Sequence, residues 1–137
     1  MIGTEKAWDE FISAHRWAVL TTLRGDDARP SSSVVAYARR DDVLVVSTPG
    51  TTFKVRSIAR NQHVNLCVIN NAEPFNFVAV QGVARLLTED IIGDTLRIFD
   101  NIEETGYRAP PDIEAWLKTE QRVIIEVIPE HVYGMIR

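Results

Sequence analysis

Apolar and polar positions change rhythm several times along the chain. Near the N-terminus Trp8, Phe11 and Ile12 fall at i, i+3 and i+4, which predicts a short amphipathic helix capped by Thr4, with Arg16 near its end. The period then shortens. Trp17 to Arg24 (WAVLTTLR) is rich in β-branched residues and predicts a strand, and Gly25-Asp26-Asp27 supplies a turn into Ser31 to Arg39 (SSSVVAYAR), the second strand of a hairpin. Arg40-Asp41-Asp42 turns the chain again into Val43 to Thr48 (VLVVST), a buried third strand ended by Pro49-Gly50.

A second helix is expected from a cap at Thr51 or Thr52 to about Arg60, with Val55, Ile58 and Ala59 inward. Val64 to Asn70 reads as a fourth strand, Asn71 to Pro74 as a loop, and Phe75 to Leu87 as a long fifth strand. Gly82 inside that strand marks a bulge or a close approach by another group. Glu89 to Asn101 predicts a third helix with Ile92, Leu96 and Phe99 on its core face and two acids in its first turn. A polar loop with Gly106, Pro110 and Pro111 follows, then a short helix over Asp112 to Lys118 and closing strands at Arg122 to Pro129 and Val132 to Ile136. Tight turns join most strands, which disfavours a doubly wound parallel sheet. The expected fold is mainly β with helices: one domain over residues 1–137 built on an antiparallel, barrel-like sheet of six or seven strands.

Composition narrows the function classes. With 45% hydrophobic and 25% charged residues the chain has the balance of a soluble globular protein. A net charge of -4 argues against general nucleic-acid binding, so any anion site must be local. No apolar run approaches membrane-spanning length and MIGTEKAWDEF is no secretory signal, so a cytoplasmic protein without a membrane partner is expected. The single cysteine, Cys67, excludes an internal disulfide framework and reads as a small buried hydrophobe in VNLCVIN. His15, His63 and His131 stand far apart with no HxxxH or HExxH spacing, so no metal site is expected.

No base and nucleophile pair stands out, and neither GxGxxG nor GxxxxGK[ST] occurs, so no catalytic residue is assigned. An enzyme of this kind would leave the reaction on its small-molecule substrate to a cofactor. The stretch STPGTTFKVR is where a phosphate could sit. Ser47, Thr48, Thr51 and Thr52 supply hydroxyls at a strand end and helix start, and Lys54 and Arg56 add positive charge within one turn. An ordinary capped helix with solvated charges is the competing reading.

The runs VLVVSTPGTTFKVRSIARNQHVNLCV and FNFVAVQGVARL, preceded by LTTLRGDDARPSSSVVAYA, resemble the pyridoxamine 5'-phosphate oxidase-like, flavin- and deazaflavin-dependent split β-barrel oxidoreductases. The likeness covers about residues 10 to 137 and rests on the order and spacing of loose motifs. It implies a homodimer with two cofactor sites at the subunit interface. It also implies that Lys54 and the hydroxyls of Thr48 and Thr51 or Thr52 hold the cofactor phosphate, that the backbone of Ser33, Val34 and Val35 lies along the ring system, and that Phe75, Asn76 and Phe77 approach from the partner chain. The short chain is most similar to members using the deazaflavin F420, some of which reduce biliverdin-like tetrapyrroles. FMN-binding reductases or oxidases, and noncatalytic carriers of either cofactor, are the alternatives.

The sequence also departs from the family pattern. Phe53 replaces the basic residue often found before the lysine, Ser57 stands where an Asn is common, and Phe75 where a Trp is common. The chain ends in VYGMIR without the Arg-Leu substrate motif, which argues against a vitamin B6 oxidase.

Overall fold

The computed structural model describes residues 1–137 and is built around one antiparallel sheet. Its strands are β1 (Trp17–Leu23), β2 (Pro30–Ala36), β3 (Ala38–Arg40), β4 (Val43–Pro49), β5 (His63–Ile69), β6 (Phe77–Leu87) and β7 (Arg122–Met135), in the order β2-β1-β5-β6-β7-β4-β3. The helices are α1 (Lys6–Ala14), α2 (Phe53–Arg60), α3 (Ile92–Ile102) and α4 (Ile113–Thr119). The topology itself forces the barrel. β2 and β3 lie at opposite edges of the sheet yet are joined by one residue, Tyr37, so the sheet must roll until its edges approach.

This is the split barrel expected from the sequence, with one strand divided in two. Ser31 to Arg39 does not run straight: β2 pairs with β1 and β3 with β4, and Tyr37 changes neighbours between them. Tyr37 can do so because it is anchored. Its side chain is fully buried, and its hydroxyl donates to the Ile12 carbonyl at 2.6 Å, tying the crossover to α1. Burial pushes the phenol's pKa well above its ordinary range, so this donor keeps its proton.

The barrel interior is filled by alternate residues of each strand, including Ala18 and Leu20, Leu44 and Val46, Leu66 and Val68, Val78 and Val80, and Ile125 and Val127. Phe11 and Ile12 of α1 complete this core, as the helical spacing predicted. The cap differs: Glu5, not Thr4, occupies the N-cap, and Asp9 secures the N-terminal segment by accepting from the Ile2 N–H at 2.7 Å. A second, smaller core lies outside the barrel, where Ile91 and Ile98 at α3 cover Ala38, Val45 and Ile124. The predicted face of α3 was therefore wrong by about one residue. Asp94, Thr95, Ile98 and Ile102 are buried and Leu96 is exposed, because Asp94 pairs with Arg40 and Asn101 donates to the Tyr37 and His15 carbonyls.

The two predicted closing strands are one. β7 runs unbroken past Pro129 but carries one extra residue there: Pro129 pairs with Gly82 and His131 with Gln81, which leaves Glu130 without a partner. Gly82 is thus the close approach that its position in a strand suggested, set opposite a bulge of β7.

Candidate cofactor site

The end of β4 and the start of α2 build the site. Ser47 and Thr48 pair with Ile124 and Val123 of β7, and Pro49 is the last strand residue, opposite Arg122. The Gly50 N–H donates to the Gln121 carbonyl at 2.7 Å, which pins the turn to the α4–β7 corner. Neither expected threonine cap forms a hydrogen bond into the helix. Thr52 holds the N-cap position but its Oγ1 lies 3.3 Å from Thr48 Oγ1, and Thr51 is exposed. The first N–H groups of α2 consequently have no side-chain acceptor at the N-cap.

Lys54 lies against the β1–β2 hairpin, not beside Arg56. With Thr22, Ser31, Ser32, Ser33 and Phe53 it lines a cleft of about 170 Å³. The alternation of the strands explains the hydroxyls there: Ser31 pairs with Thr22 and Ser33 with Leu20, so every second serine shares a face with the barrel interior. Thr22 is 1% exposed and its Oγ1 has no hydrogen-bond partner. A buried hydroxyl left unpaired costs about 1–3 kcal/mol, so the cleft wall offers a donor that a ligand oxygen would satisfy. Burial, and after it the charge of Arg122, hold the Lys54 ammonium below its ordinary pKa. Ser47 Oγ is likewise buried and unpaired. A half-buried cation that forms no ion pair, next to an unpaired hydroxyl, is chemically suited to an anion such as a phosphate.

Arg56 points elsewhere. Its Nη1 donates to the Thr51 carbonyl at 2.9 Å, its guanidinium lies 5.9 Å from the Phe53 ring centre, and it lines a neighbouring cleft of about 100 Å³ with Arg24 and Arg60. Helical geometry separates the two cations, since positions i and i+2 project from different sides. Phe53 borders both clefts. Of α2's predicted inward residues Val55 and Ile58 are buried, but Ser57 is buried in place of Ala59.

The remaining expected residues fall apart within one chain. Val35 faces the barrel core, while Val34 is 68% exposed on the outer face. Phe77 lies edge-to-face on Tyr133, Asn76 accepts from the Arg137 N–H at 3.0 Å, and Phe75 is exposed. Phe77 begins β6, five positions before Gly82, with Phe75 and Asn76 just ahead of it, whereas Thr22 lies at the Val64–Gly82 level; the offset from Phe77 is about 16 Å along the strand. One protomer does not bring them to Lys54.

Sequence reasoning did not single out Thr22, Ser31, Ser32 or Arg122. Arg122 stacks its guanidinium 4.3 Å from the centre of the Trp116 ring, and its Nε is buried without a partner. Thr22 and the serines could have been found by applying strand alternation to LTTL and PSSSVVA. Arg122 carries no such local signal, because it is far along the chain from Lys54. The structure has no group of three or more His, Cys, Asp or Glu placed to hold a metal ion, and no helix long and apolar enough to cross a membrane.

A split barrel with a hydroxyl-lined cleft beside a half-buried lysine is the frame the chain builds, and the sequence comparisons give its family. The family model described as pyridoxamine 5'-phosphate oxidase matches residues 4–136, and the chain belongs to that family. Solved structures share the fold at low identity. An F420 reductase superposes with a TM-score of 0.75 at 21% identity, covering 95% of this chain and 98% of its own. An FAD-binding protein from Mesorhizobium loti gives 0.70 at 20% identity, covering 98% and 95%. A heme-binding protein from Mycobacterium smegmatis gives 0.70 at 15% identity, covering 98% of this chain and 55% of its own. No curated protein matches the sequence.

Proposed function

We propose that the protein is an F420-dependent reductase that acts as a homodimer on an unsaturated small molecule of the biliverdin type. The observation that carries the phosphate site is Lys54, half-buried and unpaired in a cleft lined by Thr22 and Ser31–Ser33, where the Thr22 hydroxyl is buried without a partner. When bound, the deazaflavin supplies the hydride. The chain's own residues have three tasks: Lys54 and the hydroxyls hold the phosphate, the backbone of the edge strand β2 at Ser33–Val35 lies along the ring, and the barrel wall excludes water from one side; no side chain is assigned a proton.

Preference for F420 over FMN is supported by the second cleft. F420 continues beyond its phosphate into a polycarboxylate tail, and a cleft lined by Arg56 and Arg60, with Arg24 paired to Asp26 at its edge, adjoins the first across Phe53. FMN ends at its phosphate and makes no use of that charge. The homodimer is supported by an outer sheet row running Val34, Val19, Cys67, Ala79 and Tyr133 across five strands, with Val34 exposed, and by the distance of Phe75–Phe77 from Lys54. A second copy supplies those aromatics to the first copy's cleft.

Fluorescence titration of the purified protein with F420 and with FMN, repeated on Lys54→Ala, tests the reading. Tight F420 binding that weakens at least tenfold in the variant is the expected result. A preference for FMN moves the protein to the flavin branch, and absence of binding by both cofactors overturns the proposal.

A further inference from the structure

The outer face of the sheet changes character within two residues along every strand. Val34, Val19, Cys67, Ala79 and Tyr133 form an apolar row, and two positions along, about 7 Å away, stand Ser32, Thr21, Asn65, Gln81 and His131. Thr21 and Ser32 satisfy each other, with 2.8 Å between their hydroxyls. Asn65, on the central strand of the row, has no such neighbour. Its Oδ1 is shut off from solvent and accepts no hydrogen bond. A buried amide oxygen left in that state is destabilising until a donor reaches it.

A cleft of about 270 Å³ opens on this amide, with Thr21, His63, Gln81 and Glu130 also in its lining. Glu130 is there because of the β7 bulge: Pro129 pairs with Gly82 and His131 with Gln81, so Glu130 is thrown out of the ladder. Its side chain is exposed and belongs to no ion pair. It also borders a larger cleft of about 630 Å³ between the N-terminal segment and β7, so the two clefts meet at this carboxylate.

The lining is opposite in character to that of the Lys54 cleft. No lysine or arginine contributes to it, and its two unpaired groups, the Asn65 oxygen and the Glu130 carboxylate, are both acceptors. It also lies on the other face of the sheet, since Thr21 lines it whereas Thr22 lines the Lys54 cleft. Such a lining disfavours an anion and matches a ligand that donates N–H groups and carries positive charge. Asn65 and Glu130 stand two strands apart, about 10 Å between backbones, so the ligand must direct N–H groups two ways. A guanidinium does so from one rigid plane, and its weak hydration relative to an ammonium suits a half-enclosed cleft.

We propose that this cleft binds a small organic cation of the guanidinium class, with Asn65 Oδ1 accepting one N–H at the floor and Glu130 balancing the charge at the mouth. The site is separate from the phosphate seat, and its test does not depend on cofactor binding.

Titration of the wild-type protein with N-methylguanidinium, followed through the NMR signal of the Asn65 side-chain amide, tests the proposal, with methylammonium and acetate as comparison probes. A saturable shift with N-methylguanidinium, a weaker response to methylammonium and none to acetate is the expected result. Loss of a hydrogen bond to a charged group predicts that Asn65→Leu weakens N-methylguanidinium binding about 10-fold or more, while removal of the unpaired amide raises the melting temperature of the ligand-free protein. Glu130→Gln is a surface change and should weaken binding about 2- to 5-fold, the size of an exposed ion pair. An Asn65 signal that stays put at millimolar N-methylguanidinium overturns the proposal, as does an equal response to methylammonium. So does an Asn65→Leu or Glu130→Gln variant that binds as the wild type does.

Discussion

Gly82 of β6 meets the Ile128 carbonyl of β7 so closely that a Cβ on Gly82 would stand 2.2 Å from its oxygen. The contact is backbone against backbone, opposite the β7 bulge, where the long central pair of strands changes register between Gln81 and Gly82. No rotamer change in a neighbour relieves it.

Gly82→Ala is therefore expected to cost about 2–4 kcal/mol, through displacement of β7 and not through lost apolar burial. Urea denaturation measures it. A variant within 0.5 kcal/mol of the wild type, a threshold of about the size seen for exposed surface changes, would show that the bulge yields freely.

Lys54 lets stability and binding be separated. Its folded pKa is lowered, by burial first and Arg122 second, so the unfolded chain binds the proton more readily. Stability without ligand then rises with pH between the folded pKa and the unfolded value near 10.4, and the charged lysine is a cost at neutral pH. Lys54→Met should raise the melting temperature of the ligand-free protein at pH 7 while weakening phosphate-ester binding at least tenfold. The gain should shrink as the pH reaches the unfolded pKa, where the unfolded lysine also begins to lose its proton. Differential scanning calorimetry at pH 7 and pH 10.5 checks the sign, and a destabilised variant at pH 7 would contradict it.

The dimer proposal makes Val34 sensitive. Its side chain stands 68% exposed on the outer row of the sheet, in register with Val19 and through it with Cys67. Val34→Glu places a charge where a second copy would bury it, and should convert a dimer to a monomer in light scattering with loss of cofactor binding. A wild-type protein that is monomeric at tens of micromolar would remove the basis for the proposal.

A final prediction concerns the ionic cluster that seats α3. Arg40 bonds Glu126 and lies 3.3 Å from Asp94, and Arg85 and Arg97 flank the two largely buried carboxylates. Glu126→Gln leaves Arg40 short of charge in a partly buried position. The expected loss is about 1–3 kcal/mol, reduced from the fully buried case because Arg40 is partly exposed. Arg40→Met with Glu126→Leu should recover much of it in chemical denaturation, since the cluster replaces apolar packing more than it adds to it.

The local alphabet of the chain determined most of its elements. β-branched runs set the strands, Gly25-Asp26-Asp27 and Arg40-Asp41-Asp42 set turns, and the helical spacing of Phe11 and Ile12 identified the face that enters the barrel, because each depends on neighbours within a few residues. The β4–α2 junction, where a phosphate seat is proposed, was legible for the same reason: a strand end, a turn and a helix start are contiguous in sequence. What lay beyond it depended on contacts between distant segments. Tyr37 divides a strand that reads as continuous because the barrel must close, and α3 turns Leu96 outward because Arg40 and the Tyr37 carbonyl bind Asp94 and Asn101. Lys54 and Arg56, two residues apart in the sequence, project from different sides of α2 into two clefts, while Thr22, far earlier in the chain, is brought to Lys54 by the packing of α2 against the β1–β2 hairpin. Propensity acts over a few residues, whereas the site is assembled by strand register, and only the folded sheet sets that.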